Sequence, residues 1–104
     1  MTSKTLPKRA VGATGLELTE LGLGAATLGN LYREVSDDQA RSTVLAALAA
    51  GIRHVDTAPY YGFGLSERRV GDGVRATGDI TVSTKVGAIL HPDYACTTIR
   101  TTAS

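Results

Sequence analysis

Tryptophan is missing from these 104 residues, and cysteine, methionine and phenylalanine occur once each. The lone Cys96 excludes a disulfide framework within the chain and is compatible with a reducing compartment. It stands in a polar tail with no histidine constellation around it, so a catalytic thiol is not expected. Aromatic residues make up 5% of the chain, too few for platforms on which nucleic-acid bases stack. No charge of one sign prevails, since 11 basic residues face 10 acidic ones. No run of Lys or Arg forms a patch, so nucleic acid is not an expected partner. Apolar stretches are broken by Thr, Arg or Gly well short of the ~18 residues of a membrane span. Met1 to Arg9 lacks the apolar segment of a secretory signal. A soluble, cytoplasmic protein without membrane or metal partners is expected.

What is present is alternation. Met1 to Lys8 reads as a flexible leader. Arg9–Val11 and Leu16–Leu18 flank Gly12-Ala13-Thr14-Gly15, which suits a hairpin with Gly15 at positive φ. Leu21 to Ala26 is apolar and reads as a buried strand running into a tight loop near Gly29-Asn30. Ser36-Asp37-Asp38-Gln39 fits a capping box, with two acids on the positive end of the helix dipole. Ala40, Val44, Ala47 and Leu48 then fall on one helical face, and Gly51 stops the helix. Ile52–Val55 reads as a strand ending at Asp56. Ser66 is the expected cap of a second helix that turns Val70 and Val74 inward. Gly71 and Gly73 each weaken that helix by about 1 kcal/mol relative to Ala. Ile80–Thr84 is a β-branched strand with Lys85 at its end.

Strands alternating with single helices imply parallel pairing with right-handed crossovers. The expected class is α/β: an N-terminal hairpin and about three βα units, the N-terminal portion of a (β/α)8 TIM barrel. Such barrels need roughly 250 residues, so the sequence reads as incomplete, with open strand edges and with Val55, Ile80 and Val82 partly exposed. Residues 9–90 form this partial barrel. Residues 91–104 read as an irregular tail, either cut short or out of frame.

Three ionisable residues stand out by position. Asp56 and Lys85 end successive strands, and Tyr61 lies on the loop after the first of them. In a parallel sheet all three open onto one rim, where the active sites of such folds lie. An ammonium beside a phenol favours its ionised form, and a carboxylate beside the ammonium keeps that charge in place. Tyr61 could then exchange a proton with a carbonyl or alcohol oxygen. Breaking the C–H bond needs a hydride carrier, which implies a nicotinamide cofactor. Singly, each residue has an ordinary explanation: a turn Asp, a packed Tyr, a solvated Lys. The shared rim weakens those explanations together.

Asp56-Thr57-Ala58-Pro59-Tyr60-Tyr61-Gly62, followed by Ser66-Glu67 and Val70-Gly71, resembles the signature of the aldo-keto reductases. Ser83-Thr84-Lys85-Val86-Gly87 resembles that family's next motif. Leu21-Gly22-Leu23-Gly24 resembles its first-strand glycine segment, and Arg9–Leu18 the hairpin that plugs the bottom of its barrel. The resemblance runs from about Lys8 to Leu90. It implies a barrel oxidoreductase that uses NADP or NAD without a separate dinucleotide domain. Of the family's catalytic Asp, Tyr, Lys and His, it matches Asp56, Tyr61 and Lys85. The His belongs to the following strand, beyond this sequence; His91 is too close to Lys85, and His54 precedes Asp56 by two. Gly24, Ala25 and Asp56 are the positions implied at the nicotinamide end. Within the family, Asp56–Gly62 and Gly64–Arg69 are similar to sugar 1-dehydrogenases acting on fucose-type aldoses. A small-molecule carbonyl or sugar is thus the implied substrate, and these residues by themselves are expected to be inactive.

Two other readings compete. Gly22-x-Gly24 with Gly29 resembles a dinucleotide-binding turn, but its third glycine comes late and no helix starts there. A small non-catalytic βα binding or regulatory module would explain the short length. It would not explain why Asp56, Tyr61 and Lys85 share a rim.

Overall fold

The computed structural model describes residues 5–90 and 97–98. Met1 to Lys4, and the tail including His91 and Cys96 but for that last pair, lie outside the described residues. Strands β1 (Lys8–Ala10) and β2 (Glu17–Thr19) form the expected antiparallel hairpin. Its pairing begins inside the supposed leader: Lys8 opposes Thr19, and the Glu20 amide donates to the Pro7 carbonyl. Strand β3 is Leu23–Gly24, followed by a 3-10 turn over Ala26–Gly29. Helix α1 spans Asp37–Ala49, strand β4 His54–Asp56, helix α2 Leu65–Val74 and strand β5 Thr81–Ser83. Two further short strands, β6 (Ala88–Ile89) and β7 (Thr97–Thr98), pair antiparallel, so the tail contributes one strand.

Strands β3, β4 and β5 form a parallel sheet in that order, with Leu23 beside Val55 and Val55 beside Val82. Side chains alternate across a sheet. One face therefore carries Leu23, Val55 and Val82, and the other His54, Asp56, Thr81 and Ser83. The two helices cover the first face. Ala40, Val44 and Leu48 of α1 and Val70 of α2 close a core with Ala25, Leu28 and Val55. Val55 is 1% exposed, not partly exposed as expected, because both helices pack over the β3–β4 side of the sheet. Val82, on the same face but one strand out, is 49% exposed. The order hairpin, strand, helix, strand, helix, strand is the one expected for the N-terminal portion of a (β/α)8 barrel.

Two local expectations need correction. The strands are shorter than the sequence suggests, since only residues with a paired neighbour hold ladder geometry. Ser66 does not cap α2. The helix begins at Leu65 after Gly64, and the Ser66 hydroxyl is buried, donating to the Ala25 carbonyl at 2.7 Å and meeting Thr57 Oγ1 at 2.8 Å. By contrast, the capping box of α1 forms in full, with Ser36 accepting from Gln39 N and Gln39 Oε1 accepting from Ser36 N.

The hairpin sits at the N-terminal end of the sheet. The Arg53 amide, just before β4, donates to Thr19 Oγ1. The opposite end of the strands is thereby left to the loops that follow them.

Candidate active site

Strand β4 ends on Asp56 and β5 on Ser83, side by side in register. Chain continuing from β5 carries Lys85 back over the sheet end. Its Nζ donates to Asp56 Oδ2 at 2.9 Å and to the Thr57 carbonyl at 2.9 Å. The same Nζ lies 5.0 Å from the centroid of the Tyr61 ring, within cation–π range. The structure thus brings Asp56, Tyr61 and Lys85 into one cluster at the C-terminal end of the strands.

Tyr61 is set by backbone packing. A Cβ on Gly29 would lie 2.5 Å from the Tyr61 carbonyl carbon, and one on Gly62 would lie 2.7 Å from the Gly29 oxygen. Two loops therefore meet backbone to backbone, which only glycine permits. This also explains Gly29 without a phosphate: it is a contact point for the Tyr61 loop, and no helix begins until Asp37. Arg69 fixes the other side of the same loop system. It is 9% exposed by side chain. It donates to the Leu28 and Val35 carbonyls at 2.8 and 3.0 Å and pairs with Asp37 at 2.9 Å.

The electrostatics follow from these contacts. Donation from the Ser83 hydroxyl, and then from Lys85, holds the Asp56 carboxyl below its ordinary range. Hydrogen bonding to the Asp56 carboxylate holds the Lys85 ammonium above its own. Both side chains are about half exposed, at 46% and 49%, so solvent screens the pair.

Gly24 and Ala25 diverge. Gly24 lies beside Asp56 in register and is exposed, and a Cβ on it would meet nothing within 4 Å. Open space therefore adjoins the Asp56 cluster at the Gly24 backbone. Ala25 faces the core, fully buried, with its amide donating to the Asp56 carbonyl and its carbonyl accepting from Ser66. Among the described residues no group of three or more His, Cys, Asp or Glu side chains converges as metal ligands would. No helix among them is long and apolar enough to cross a membrane.

Ser83 and His54, which the sequence reading left aside, join the cluster. Ser83 Oγ donates to Asp56 Oδ1 at 2.7 Å and lies 3.2 Å from His54 Nε2. The signal for both was the period-two polar pattern, His54-x-Asp56 and Thr81-x-Ser83-x-Lys85, inside otherwise β-branched strands.

The sequence profile of the aldo/keto reductase family matches residues 20–103. The chain is 49% identical over 86 residues to the D-threo-aldose 1-dehydrogenase of a Pseudomonas species, covering 81% of this chain and 26% of the relative. It is 43% identical over 97 residues to the pyridoxal 4-dehydrogenase of Microbacterium luteolum, covering 92% of this chain and 28% of the relative. Its fold superposes on an aldo-keto reductase from Bacillus halodurans in its holo form with a TM-score of 0.81 at 31% identity, covering 90% of this chain and 30% of that one. The chain therefore spans about a quarter of the length of the curated relatives it matches.

Proposed function

We infer, because the chain belongs to the aldo/keto reductase family and holds Lys85 between Asp56 and the Tyr61 ring, that it carries the proton-transfer machinery of an NAD(P)-dependent oxidoreductase. The Lys85 contact carries this reading. In reduction, Tyr61 Oη would give its proton to the carbonyl oxygen, and in oxidation the same oxygen would take the hydroxyl proton. Lys85 stabilises the negative charge that the phenol oxygen bears in either direction, and Asp56 holds Lys85 charged and in place. A nicotinamide cofactor, NADP or NAD, supplies or accepts the hydride when bound. Gly24 and Asp56 would border it, while Ala25 supports the loop from within the core.

The substrate we assign is a small carbonyl or sugar, most specifically the C1 position of an aldose, in keeping with the 49% identity to an aldose 1-dehydrogenase. A diffusible sugar and a nicotinamide suit the cytoplasm, the compartment we assign to it.

The test is a chimaera in which this segment replaces its counterpart in the Pseudomonas relative. Aldose-dependent NAD(P)H formation should persist. Tyr61→Phe, which keeps the ring and removes only the acidic proton, should cut turnover by about 10² to 10⁴-fold. A folded chimaera without turnover, or a Phe variant with undiminished turnover, would overturn the assignment.

A further inference from the structure

We propose that His54 and Ser83 are positioning residues. With Thr81 they form a directed hydrogen-bond column up the inner sheet face that fixes the orientation of Asp56, and through it Lys85 and Tyr61.

The column follows from the register. His54 pairs with Thr81 and Asp56 with Ser83, so four polar side chains of neighbouring strands share one face. Barrel interiors are ordinarily filled by branched apolar residues, and this lane departs from that rule. Its polar atoms meet at hydrogen-bond distance: Thr81 Oγ1 to His54 Nδ1 at 2.7 Å, His54 Nε2 to Ser83 Oγ at 3.2 Å, and Ser83 Oγ to Asp56 Oδ1 at 2.7 Å. No buried side-chain nitrogen or oxygen among the described residues lacks a partner.

Proton counting gives the column a direction. An ionised carboxylate only accepts, so the single Ser83 proton goes to Asp56. Ser83 Oγ then accepts from His54, which places the imidazole proton on Nε2. Nδ1 is left as an acceptor, and Thr81 donates to it in preference to the Arg53 carbonyl at 3.3 Å. The opposite tautomer would face a lone pair on Nε2 with one on Ser83, or pull the Ser83 proton away from Asp56. A doubly protonated imidazole keeps the upper part of the column intact. Thr81 then turns its proton to the Arg53 carbonyl and accepts from Nδ1, and Ser83 still donates to Asp56.

The result is an Asp56 with both oxygens engaged, Oδ1 by Ser83 and Oδ2 by Lys85. The carboxylate cannot rotate without breaking one of them. Lys85 in turn is held between Asp56 and the Thr57 carbonyl. The charged and titratable groups facing Asp56 are His54 on its own strand, Lys85 after β5, and Tyr61 beyond Lys85.

The hydrogen bonds stand independently of the reaction; the positioning role rests on the function proposed above. The test is nuclear magnetic resonance on the chimaera with this segment alone isotope-labelled, in which His54 and His91 are the segment's only histidines. At about pH 8.5, above the ordinary imidazole range, ¹⁵N shifts of wild-type His54 should show the proton on Nε2. A proton on Nδ1 overturns the column, and this measurement needs no variant. The ¹³Cγ titration of Asp56 should move up on Ser83→Ala and return on Ser83→Thr; no movement on Ser83→Ala overturns it too. In the chimaera, Ser83→Ala should lower turnover roughly 10-fold or more and Ser83→Thr should restore it. Unchanged turnover in Ser83→Ala, beside a crippled Tyr61→Phe, overturns the positioning role alone. Undiminished turnover in Tyr61→Phe overturns the function and leaves the resonance result standing.

Discussion

Asp56 and Lys85 respond to pH in opposite senses, and both senses are readable from their contacts. Ser83, then Lys85, lowers the Asp56 carboxyl. Its contribution to stability is complete above the ordinary value of roughly 4 and is lost as pH falls through the lowered one. Asp56 raises the Lys85 ammonium. That contribution is complete below the ordinary value of roughly 10.4 and is lost as pH rises through the raised one. Asp56→Asn should therefore destabilise most between these limits and converge on wild type in acid. Urea unfolding across pH measures this, and a difference independent of pH would contradict it. The effect should be modest and should shrink with salt, because both side chains are half exposed. Asp56, Tyr61 and Lys85 were legible in the sequence because each sits at a strand end or in the loop after one, and the topology alone gathers such positions. Ser83 and His54 were not. Their role depends on strand register, which decides who stands opposite whom and is set by pairing between segments far apart in sequence.

Helix α2 separates two glycines that look alike in sequence. A Cβ on Gly71 would meet nothing within 4 Å, and its φ is not positive. Gly71→Ala should stabilise by about 0.5–1 kcal/mol through propensity. A Cβ on Gly73 would lie 2.7 Å from Val44 Cγ1, where α2 packs against α1. Gly73→Ala should destabilise by about 1–3 kcal/mol despite the same gain in propensity, because the buried Val44 has no room to yield. Chemical denaturation of the two variants gives the comparison, and equal signs would refute it. Helix α1 was legible to the residue at its start, since a capping box is local and needs only positions i and i+3. The start of α2 was not. The Ser66 hydroxyl is drawn to the Ala25 carbonyl, 41 residues away in sequence, and a tertiary partner outcompetes the cap. Arg69 was missed for the same reason, its partners being carbonyls of a loop that precedes α1.

At the scale of the whole molecule, alternation of strands and helices was enough to read the parallel sheet, because connections of that length admit few other topologies. What it could not show is how unevenly the sheet is covered. Among the described residues, β3 and β5 each pair on one side only. Val55 is buried by both helices, while Val82, on the same face one strand further out, stays half exposed. An unpaired edge beside an exposed β-branched face is a template for another chain. We therefore predict that a polypeptide of these 104 residues, taken alone, unfolds over a broad range, associates as concentration rises, and forms no NAD(P)H from aldoses. Sedimentation velocity across concentration, with far-UV thermal unfolding, reads the first two. Val82→Lys separates the cause from general instability: it places a charge on the exposed face of the edge strand and touches none of the core cluster. It should reduce association while leaving the circular dichroism spectrum in place. If Val82→Lys associates as strongly as wild type, the edge is not the contact. If the wild-type polypeptide is monomeric, melts sharply and turns over an aldose, three strands suffice for both folding and chemistry, and the uneven cover of β5 has no consequence.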